Sequence, residues 1–256
     1  MAQRLLVEEE VVPRCLVVQH LEPEGSYAIG EALSSAGVDV EPCRVFTGDS
    51  VSTDASGFDG VVVMGGPMSA TSDDGFGSRR AEIELLTNAL DQGVPTLGVC
   101  LGAQLLALAA GGSVLTGSAG PEIGWGSVDL TEAARSDPLL GGLPSRLTVL
   151  HWHNDTFGLP PGGTQLAASR LYPQAYRVGE RAWGFQFHVE VDRQAVTAFL
   201  DAFGGEAREA GSDTDDIDGQ TAACLGRLGP IRDRIADRFA GLVSGFDRDE
   251  DLVELG

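Results

Sequence analysis

The chain contains no lysine, so all 17 of its basic residues are arginines. Without lysine, both a Schiff-base mechanism and a Walker-type phosphate-binding loop are excluded. The 38 acidic residues leave a formal net charge of −21. A surface this acidic argues against binding of nucleic-acid phosphates. It is weakly compatible with docking to a basic face of a protein partner, and solubility explains it more simply.

Cysteine and long apolar runs are also scarce. None of the four cysteines has a Cys-x-x-Cys spacing, which argues against a disulfide framework or a zinc site. Cys15, Cys43 and Cys224 lie in apolar or helical runs, and we expect them to be core residues. No apolar run approaches the roughly 20 residues that span a bilayer. Residues 1–10 lack a signal-peptide pattern, so we expect a cytoplasmic protein without membrane contacts.

Strand-like and helix-like runs alternate along the first hundred residues. The apolar runs predict strands, and the 3.6-residue periodicities predict helices. This alternation predicts an α/β fold with a doubly wound, mixed and mostly parallel sheet between flanking helices. From 112 to 187, short strands between turns indicate an antiparallel portion. The predicted strands are 11–19, 38–46, 60–64, 94–99, 124–130, 146–150, 164–169, 174–177 and 182–187, and the predicted helices are 25–36 and 78–92.

The stretch Gly98-Val99-Cys100-Leu101-Gly102-Ala103-Gln104 carries the strongest chemical signal. It stands between an apolar run and a helix-forming run, as in the nucleophile elbow of hydrolases, with cysteine as the nucleophile. The N-terminal dipole of the following helix favours the thiolate of Cys100. A buried structural cysteine at a strand–helix junction is the alternative.

A base for this nucleophile follows 88 residues later, in Phe185-Gln186-Phe187-His188-Val189-Glu190. Residues two apart on a strand share a face, so His188 and Glu190 can point to the same side. Such a histidine would take the thiol proton, and the carboxylate would orient it. The alternative is a solvated histidine and glutamate at a sheet edge.

A third block covers the end of the predicted strand 60–64 and the turn after it, and reads Val61-Val62-Val63-Met64-Gly65-Gly66-Pro67-Met68-Ser69. Together the three blocks resemble the class I, triad-type glutamine amidotransferases, over about residues 12–203. The resemblance implies a flavodoxin-like fold and a catalytic triad. It also implies an oxyanion hole from the backbone amides of Gly66 and Leu101. Val189 replaces the usual proline between the triad histidine and glutamate, and we expect little effect from it.

The resemblance further implies substrate-binding residues: Gly65, Gln104, His153, Asn154 and Asp155. The last three belong to His151-Trp152-His153-Asn154-Asp155, which matches the family segment that closes over bound glutamine. A His-x-His pair also suggests zinc. We expect no metal, because no third ligand stands nearby at a suitable spacing and the chain has only four histidines. We also expect no cofactor.

The reaction implied is hydrolysis of the glutamine side-chain amide through a γ-glutamyl thioester. No Ser-Gly-Gly-x-Asp-Ser loop is present, so the resemblance implies ammonia supply to a separate synthase, as in the amidotransferase half of GMP synthase. Two alternatives stay open. One is an independent hydrolase of γ-glutamyl peptides, and the other is a non-catalytic regulatory relative.

The predicted organisation has four parts. Residues 1–10 form a flexible leader, 11–203 the amidotransferase domain, 204–246 a C-terminal helical extension, and 247–256 an acidic tail. Glycines and aspartates predict a linker or a surface segment over 204–219, and apolar steps of three and four predict a helix over 220–243. This helix docks on the domain or, alternatively, forms an interface with a partner or with a second copy of the chain in a homodimer.

Overall fold

A computed structural model describes residues 12–246 of the chain. The predicted leader, 1–10, and the predicted tail, 247–256, lie outside these residues. Every predicted strand is found, with ends shifted by up to three residues. The strands are β1 (Arg14–Gln19), β2 (Asp39–Arg44), β3 (Gly60–Val63), β4 (Thr96–Val99), β5 (Ser113–Thr116), β6 (Glu122–Leu130), β7 (Arg146–His153), β8 (Asp155–Gly158), β9 (Thr164–Ala168), β10 (Pro173–Val178) and β11 (Ala182–Phe185). The helices are α1 (Tyr27–Ser35), α2 (Arg79–Asp91), α3 (Leu101–Ala109), α4 (Arg193–Glu209) and α5 (Thr214–Ser244).

The main sheet has nine strands in the order β2-β1-β3-β4-β11-β10-β9-β6-β7. The five strands from β2 to β11 pair in parallel, and the remaining pairs are antiparallel. Among the strands of this sheet, β6 and β10 run against the common direction. The predicted mixed, mostly parallel sheet with flanking helices is therefore confirmed. Strands β5 and β8 form a separate antiparallel pair, which the sequence patterns do not predict.

Helices cover both faces of the sheet. On one face, α1 and α5 bury Ile29, Leu33 and Phe239 against β1, β3 and β4. On the other face, α2 and α3 bury Leu86 and Leu106. Strands covered on both sides read as continuous apolar runs, as in β3, where all four residues are buried.

The C-terminal region corrects one prediction. The segment 204–219 is not a linker, because α4 continues to Glu209 and α5 begins at Thr214. Gly204 is buried within α4, close to Thr214 of α5. Both helices pack on the α/β layers: Phe199 of α4 contacts Trp152, and α5 runs beside α1 and α4.

All four cysteines are free and buried, and Cys15, Cys43 and Cys224 are core residues as expected. No helix between residues 12 and 246 is long and apolar enough to cross a membrane.

Candidate active site

Four parallel strands end at the same edge of the sheet, and the predicted site residues follow three of them closely. Gly65 and Gly66 follow β3, Cys100 follows β4, and His188 comes shortly after β11. The segment after β1 carries Glu24, just before α1 begins. In open α/β sheets, ligands bind outside the carboxyl ends of the strands. Because the carboxyl ends of these parallel strands lie at one edge of the sheet, residues that lie far apart in the sequence come together there.

Cys100 has the backbone conformation of a nucleophile elbow. Its φ of 52° and ψ of −106° are sparsely populated by non-glycine residues, and α3 begins at the next residue. Close packing makes glycine necessary beside it, since a Cβ on Gly102 would lie 1.9 Å from the carbonyl oxygen of Val63. Strain of this kind costs on the order of 1–3 kcal/mol and is found mainly at functional sites. The predicted strand–elbow–helix geometry is confirmed.

Burial opposes the thiolate form of Cys100 that its position at a helix N-terminus favours. The side chain is buried, and burial raises the pKa of the Cys100 thiol above its ordinary value, although the neighbouring His188 opposes this shift. The thiol also lies 3.6 Å from the carbonyl oxygen of Trp152, toward which it can donate. His188 is the neighbouring group that favours the thiolate.

His188 and Glu190 form a buried pair beside this thiol. His188 donates from Nδ1 to Glu190 Oε1 over 2.8 Å, and its Nε2 has no hydrogen-bond partner among the described residues. Burial alone lowers the pKa of His188, but the charge of Glu190 and the contact with Cys100 outweigh it and raise the pKa well above its usual value. These surroundings therefore favour the imidazolium form of His188.

The sequence predicts that a regular strand holds these two residues, but the structure shows no strand there. Strand β11 ends at Phe185 rather than Phe187, and His188 is fixed instead by an isolated bridge in which its N–H donates to the carbonyl of Leu150. Val189 is buried in the core. Glu190 still reaches His188, as the hydrogen bond between Nδ1 and Oε1 shows.

A buried histidine, His20, fixes the loop after β3. Its Nδ1 donates to the carbonyl oxygen of Gly65 over 2.8 Å, and its Nε2 lies 2.8 Å from Glu82 Oε2. Burial alone lowers the pKa of His20, but the hydrogen bond and charge of Glu82 raise it above its ordinary value. In a planar trans peptide the carbonyl and the next N–H point in opposite directions, so the N–H of Gly66 points away from His20.

Two glutamines stand on the other side of Cys100. Gln104 on α3 is buried rather than facing solvent, and its Nε2 donates to the backbone oxygen of Asp155 and to Gln186 Oε1, over 3.2 and 3.3 Å. Gln186 in turn lies with its Nε2 3.8 Å from Cys100 Sγ. Sequence reasoning missed Gln186, although a polar residue between Phe185 and Phe187 in a buried run is a signal for it.

His153 belongs to a polar cluster with Glu122 and His151, whose ligand atoms lie within 4.8 Å of one another. The expectation that no third metal ligand stands near the His-x-His pair is therefore wrong: the antiparallel pairing of β6 with β7 brings Glu122 opposite His153. The position between them is occupied by protein, because Gln174 Nε2 lies 2.6 Å from Glu122 Oε2 and 3.3 Å from His153 Nε2. We therefore regard the cluster as a hydrogen-bonded support for the segment after β7.

A cavity of about 200 Å³ opens above Cys100. It is lined by Glu24, Gly66, Pro67, Met68, Ser69, Cys100, Leu101, Gln104, Trp152, His153, Asn154, Asp155, Phe203 and Glu206. Every predicted site residue lines this cavity except Gly65, His188 and Glu190. Seven lining residues are not among the predicted site residues. Pro67, Met68, Ser69 and Trp152 lie within the predicted motifs, whereas Glu24, Phe203 and Glu206 lie outside them. Only Glu24 carried a signal, as a carboxylate placed just after the first strand.

Comparison with known families adds the decisive observation. A sequence profile described as glutamine amidotransferase class-I matches residues 21–203. The chain belongs to the class I glutamine amidotransferase family. The resemblance that the three motifs predict is confirmed.

Three curated relatives place the chain within this family. It is 35% identical to the glutamine amidotransferase-like protein YfeJ of Salmonella typhimurium over 189 residues, which are 72% of this chain and 78% of that protein. It is 34% identical to a glutamine-hydrolysing GMP synthase subunit of Thermoplasma acidophilum, over 62% of this chain and 76% of that relative. It is 36% identical to the GMP synthase of Porphyromonas gingivalis, over 58% of this chain. The match covers only 28% of that last relative's length.

Solved structures of the family share the whole fold. A glutamine amidotransferase of Thermotoga maritima superimposes with a TM-score of 0.81 at 25% identity, covering 92% of this chain and 100% of that one. A glutamine amidotransferase of Methylobacillus flagellatus has a TM-score of 0.81 at 26% identity, covering 91% and 95% of the two chains. This coverage extends beyond the residues that the sequence profile matches.

Proposed function

We propose that this family member hydrolyses the side-chain amide of glutamine through a γ-glutamyl thioester on Cys100. The observation that carries the proposal is the meeting of a strained elbow cysteine with a buried His188–Glu190 pair beside one cavity. Structural cysteines do not need an unfavourable φ, and structural histidines do not need a buried unpaired Nε2. Strain and an unsatisfied polar atom at the same place favour chemistry over packing.

In the first half of the reaction, His188 takes the thiol proton and the sulfur of Cys100 attacks the γ-carbonyl carbon. The C–N bond then breaks, and His188 gives the same proton to the leaving nitrogen, which departs as ammonia. Glu190 keeps the Nδ1 proton in place throughout and stabilises the imidazolium. In the second half, a water molecule gives its proton to His188 and attacks the thioester, so that glutamate is released and the thiol is restored.

The developing oxyanion is proposed to bind the backbone amides of Gly66 and Leu101. Leu101 is the first residue of α3, where helical N–H groups have no partner within the helix. The N–H of Gly66 is turned away from His20, which holds the preceding carbonyl. A donor of this kind contributes about 3–4 kcal/mol to the transition state. Because His20 and Glu82 belong to this chain, we expect the hole to be formed without a partner.

The glutamyl part of the substrate is proposed to lie toward Gln104, His153, Asn154 and Asp155, with Gly65 leaving room on the opposite side. The backbone oxygen of Asp155 already accepts from both Gln104 and His153. These contacts hold the wall rigid, so that binding of the substrate orders few additional side chains.

The ammonia is proposed to pass to a separate synthase, because the relatives include a glutamine-hydrolysing subunit of GMP synthase. An independent γ-glutamyl hydrolase is the second candidate, and the preformed carbonyl anchor at Gly65 favours it. Incubating the purified chain with L-glutamine and counting ammonia and glutamate tests the common step. We expect ammonia and glutamate to be released in equal amounts by the wild type, and neither to be released by Cys100→Ser. Release at an undiminished rate by Cys100→Ser would contradict the proposal.

A further inference from the structure

The cavity wall next to His188 is acidic. Glu24 and Glu206 both line it, together with Phe203. Glu206 is an exposed residue of α4, whereas Glu24 is 5% exposed. The mechanism proposed above uses neither carboxylate. The two are close enough for Glu206 to disfavour the charged form of Glu24.

The carboxylate of Glu24 is buried without an adequate partner. Its Oε2 has no hydrogen bond among residues 12–246, and burial raises the pKa of Glu24 to about 7 despite the opposing charge of His188. A Cβ on Gly65 would lie 2.2 Å from this oxygen and 3.1 Å from His188 Cε1. Carboxylate and imidazole therefore border the same small space. An unpaired buried carboxylate is costly, and a cation delivered by a ligand would relieve that cost.

The position of Glu24 beside His188 indicates which part of a bound substrate would contact its carboxylate. His188 must stand beside the leaving nitrogen in order to return its proton. Residues that border His188 therefore face the leaving group, while Gln104 and Asp155 hold the other wall. Neutral ammonia offers no charge to this wall, and a carboxylate there favours ammonium over ammonia. An acidic wall suits a substrate whose leaving group is already cationic.

We propose that Glu24 and Glu206 form a subsite for a positively charged leaving group, and that the preferred substrates are γ-glutamyl amides of short diamines. This inference rests on the proposed function, since the same thioester chemistry cleaves the substituted amide. The C–N bond breaks, His188 protonates the released nitrogen, and water later frees glutamate. The second nitrogen of the diamine stays protonated throughout and pairs with the two carboxylates. Phe203 covers the methylene groups between the two nitrogens.

Two amides with equal numbers of heavy atoms test the subsite. One is the γ-glutamyl amide of ethylenediamine, which ends in an ammonium group, and the other is the γ-glutamyl amide of propylamine, which ends in a methyl group. The readout is the ratio of their kcat/KM values on the same enzyme sample, so that the fraction of active enzyme cancels. We expect the wild type to favour the cationic amide by about tenfold or more. Glu24→Gln should bring the ratio close to one, and Glu206→Gln should lower it.

Glu209→Gln is the matched control, because Glu209 is an exposed glutamate of α4 that does not line the cavity. It should keep the wild-type ratio. If the enzyme hydrolyses glutamine but has equal kcat/KM values on the two amides, the subsite proposal is overturned and the proposed function stands. The same holds if neither Glu24→Gln nor Glu206→Gln changes the ratio of the two kcat/KM values. If neither glutamine nor either amide is hydrolysed, the proposed function fails, and the subsite fails with it. The exposed position of Glu206 keeps the test valid should Glu24→Gln not fold.

Discussion

His188 Nδ1 lies 2.8 Å from Glu190 Oε1, and both side chains are shielded almost completely from solvent. In so dry an environment a single charge has a large influence on its neighbour. Glu190 thereby fixes the tautomer of His188 and decides how readily the imidazole takes a second proton.

Replacing this carboxylate with a neutral isostere should slow the reaction and shift its pH dependence. For Glu190→Gln we expect kcat/KM on glutamine to fall by about 10²–10⁴-fold. Glu190 raises the pKa of His188. Its removal lowers that pKa, so the limb along which activity rises with pH should move to lower pH. The pH profile of kcat/KM measures this. Glu180→Gln, in the exposed turn before β11, is the control, and an unshifted profile in Glu190→Gln would contradict the assigned role.

The hydrogen bond from His20 to Gly65 should set the orientation of the oxyanion hole. In His20→Phe the carbonyl of Gly65 loses its donor, and the N–H of Gly66 is free to turn away. We expect kcat to fall by about 10–100-fold with a smaller change in KM, because the amide acts mainly on the transition state. Glu82→Gln should have a weaker effect in the same direction. A change confined to KM in both variants would show that the loop binds substrate without stabilising the oxyanion.

Backbone strain at Cys100 should reverse the usual order of alanine and glycine. At a φ of 52° glycine is relaxed and alanine is strained. We expect the free energy of unfolding of Cys100→Gly to exceed that of Cys100→Ala by about 1 kcal/mol, as measured by urea denaturation. Ala107→Gly, within α3, should show the ordinary order and be destabilised by about 1 kcal/mol or more. Equal or greater stability of Cys100→Ala would argue against a strained elbow.

Much of this site follows from the sequence, because the three motifs are local. Glycines around Cys100 predict the elbow, and the spacing of His188 and Glu190 predicts a shared face. The environment of each group could not be predicted from the sequence. The shift of the Cys100 pKa, for example, depends on burial by segments that are distant in the chain, such as the one that contains Trp152. Glu24 and Gln186 were missed for the same reason, since each becomes part of the site only through long-range packing.

The helix α4 shows how tertiary packing overrides local signals. Gly204 and Gly205 each cost about 1 kcal/mol in a helix interior and predict a break. Burial of Phe199 against Trp152 outweighs this cost. A Cβ at Gly204 would lie 3.5 Å from Thr214 of α5, an ordinary van der Waals contact, so the packing of the two helices does not require glycine there. The short β5–β8 pair was missed because only Val114 among the four residues of β5 is buried, which leaves no recognisable alternation.

The raised pKa of Glu24 means that this residue destabilises the folded protein at neutral pH. Its folded-state pKa of about 7 exceeds the ordinary value of 4.5. The folded protein therefore holds the proton that the unfolded chain has already lost, and stability falls as pH rises from 4.5 to 7. Glu24→Gln should remove this term. We expect the gain in free energy of unfolding from this substitution to be larger at pH 8 than at pH 5 by about 2 kcal/mol. An equal effect at the two pH values would mean that the carboxylate is not destabilised by burial.

A γ-glutamyl thioester on Cys100 can be trapped by acid quenching during turnover of L-glutamine and located by mass spectrometry of the peptides. The other three cysteines are buried and serve as internal controls. We predict one γ-glutamyl group on the peptide that contains Cys100, none on the peptides of Cys15, Cys43 or Cys224, and no adduct in Cys100→Ala. Turnover of glutamine with no adduct on Cys100, together with undiminished turnover in Cys100→Ala, would contradict a thioester mechanism at Cys100.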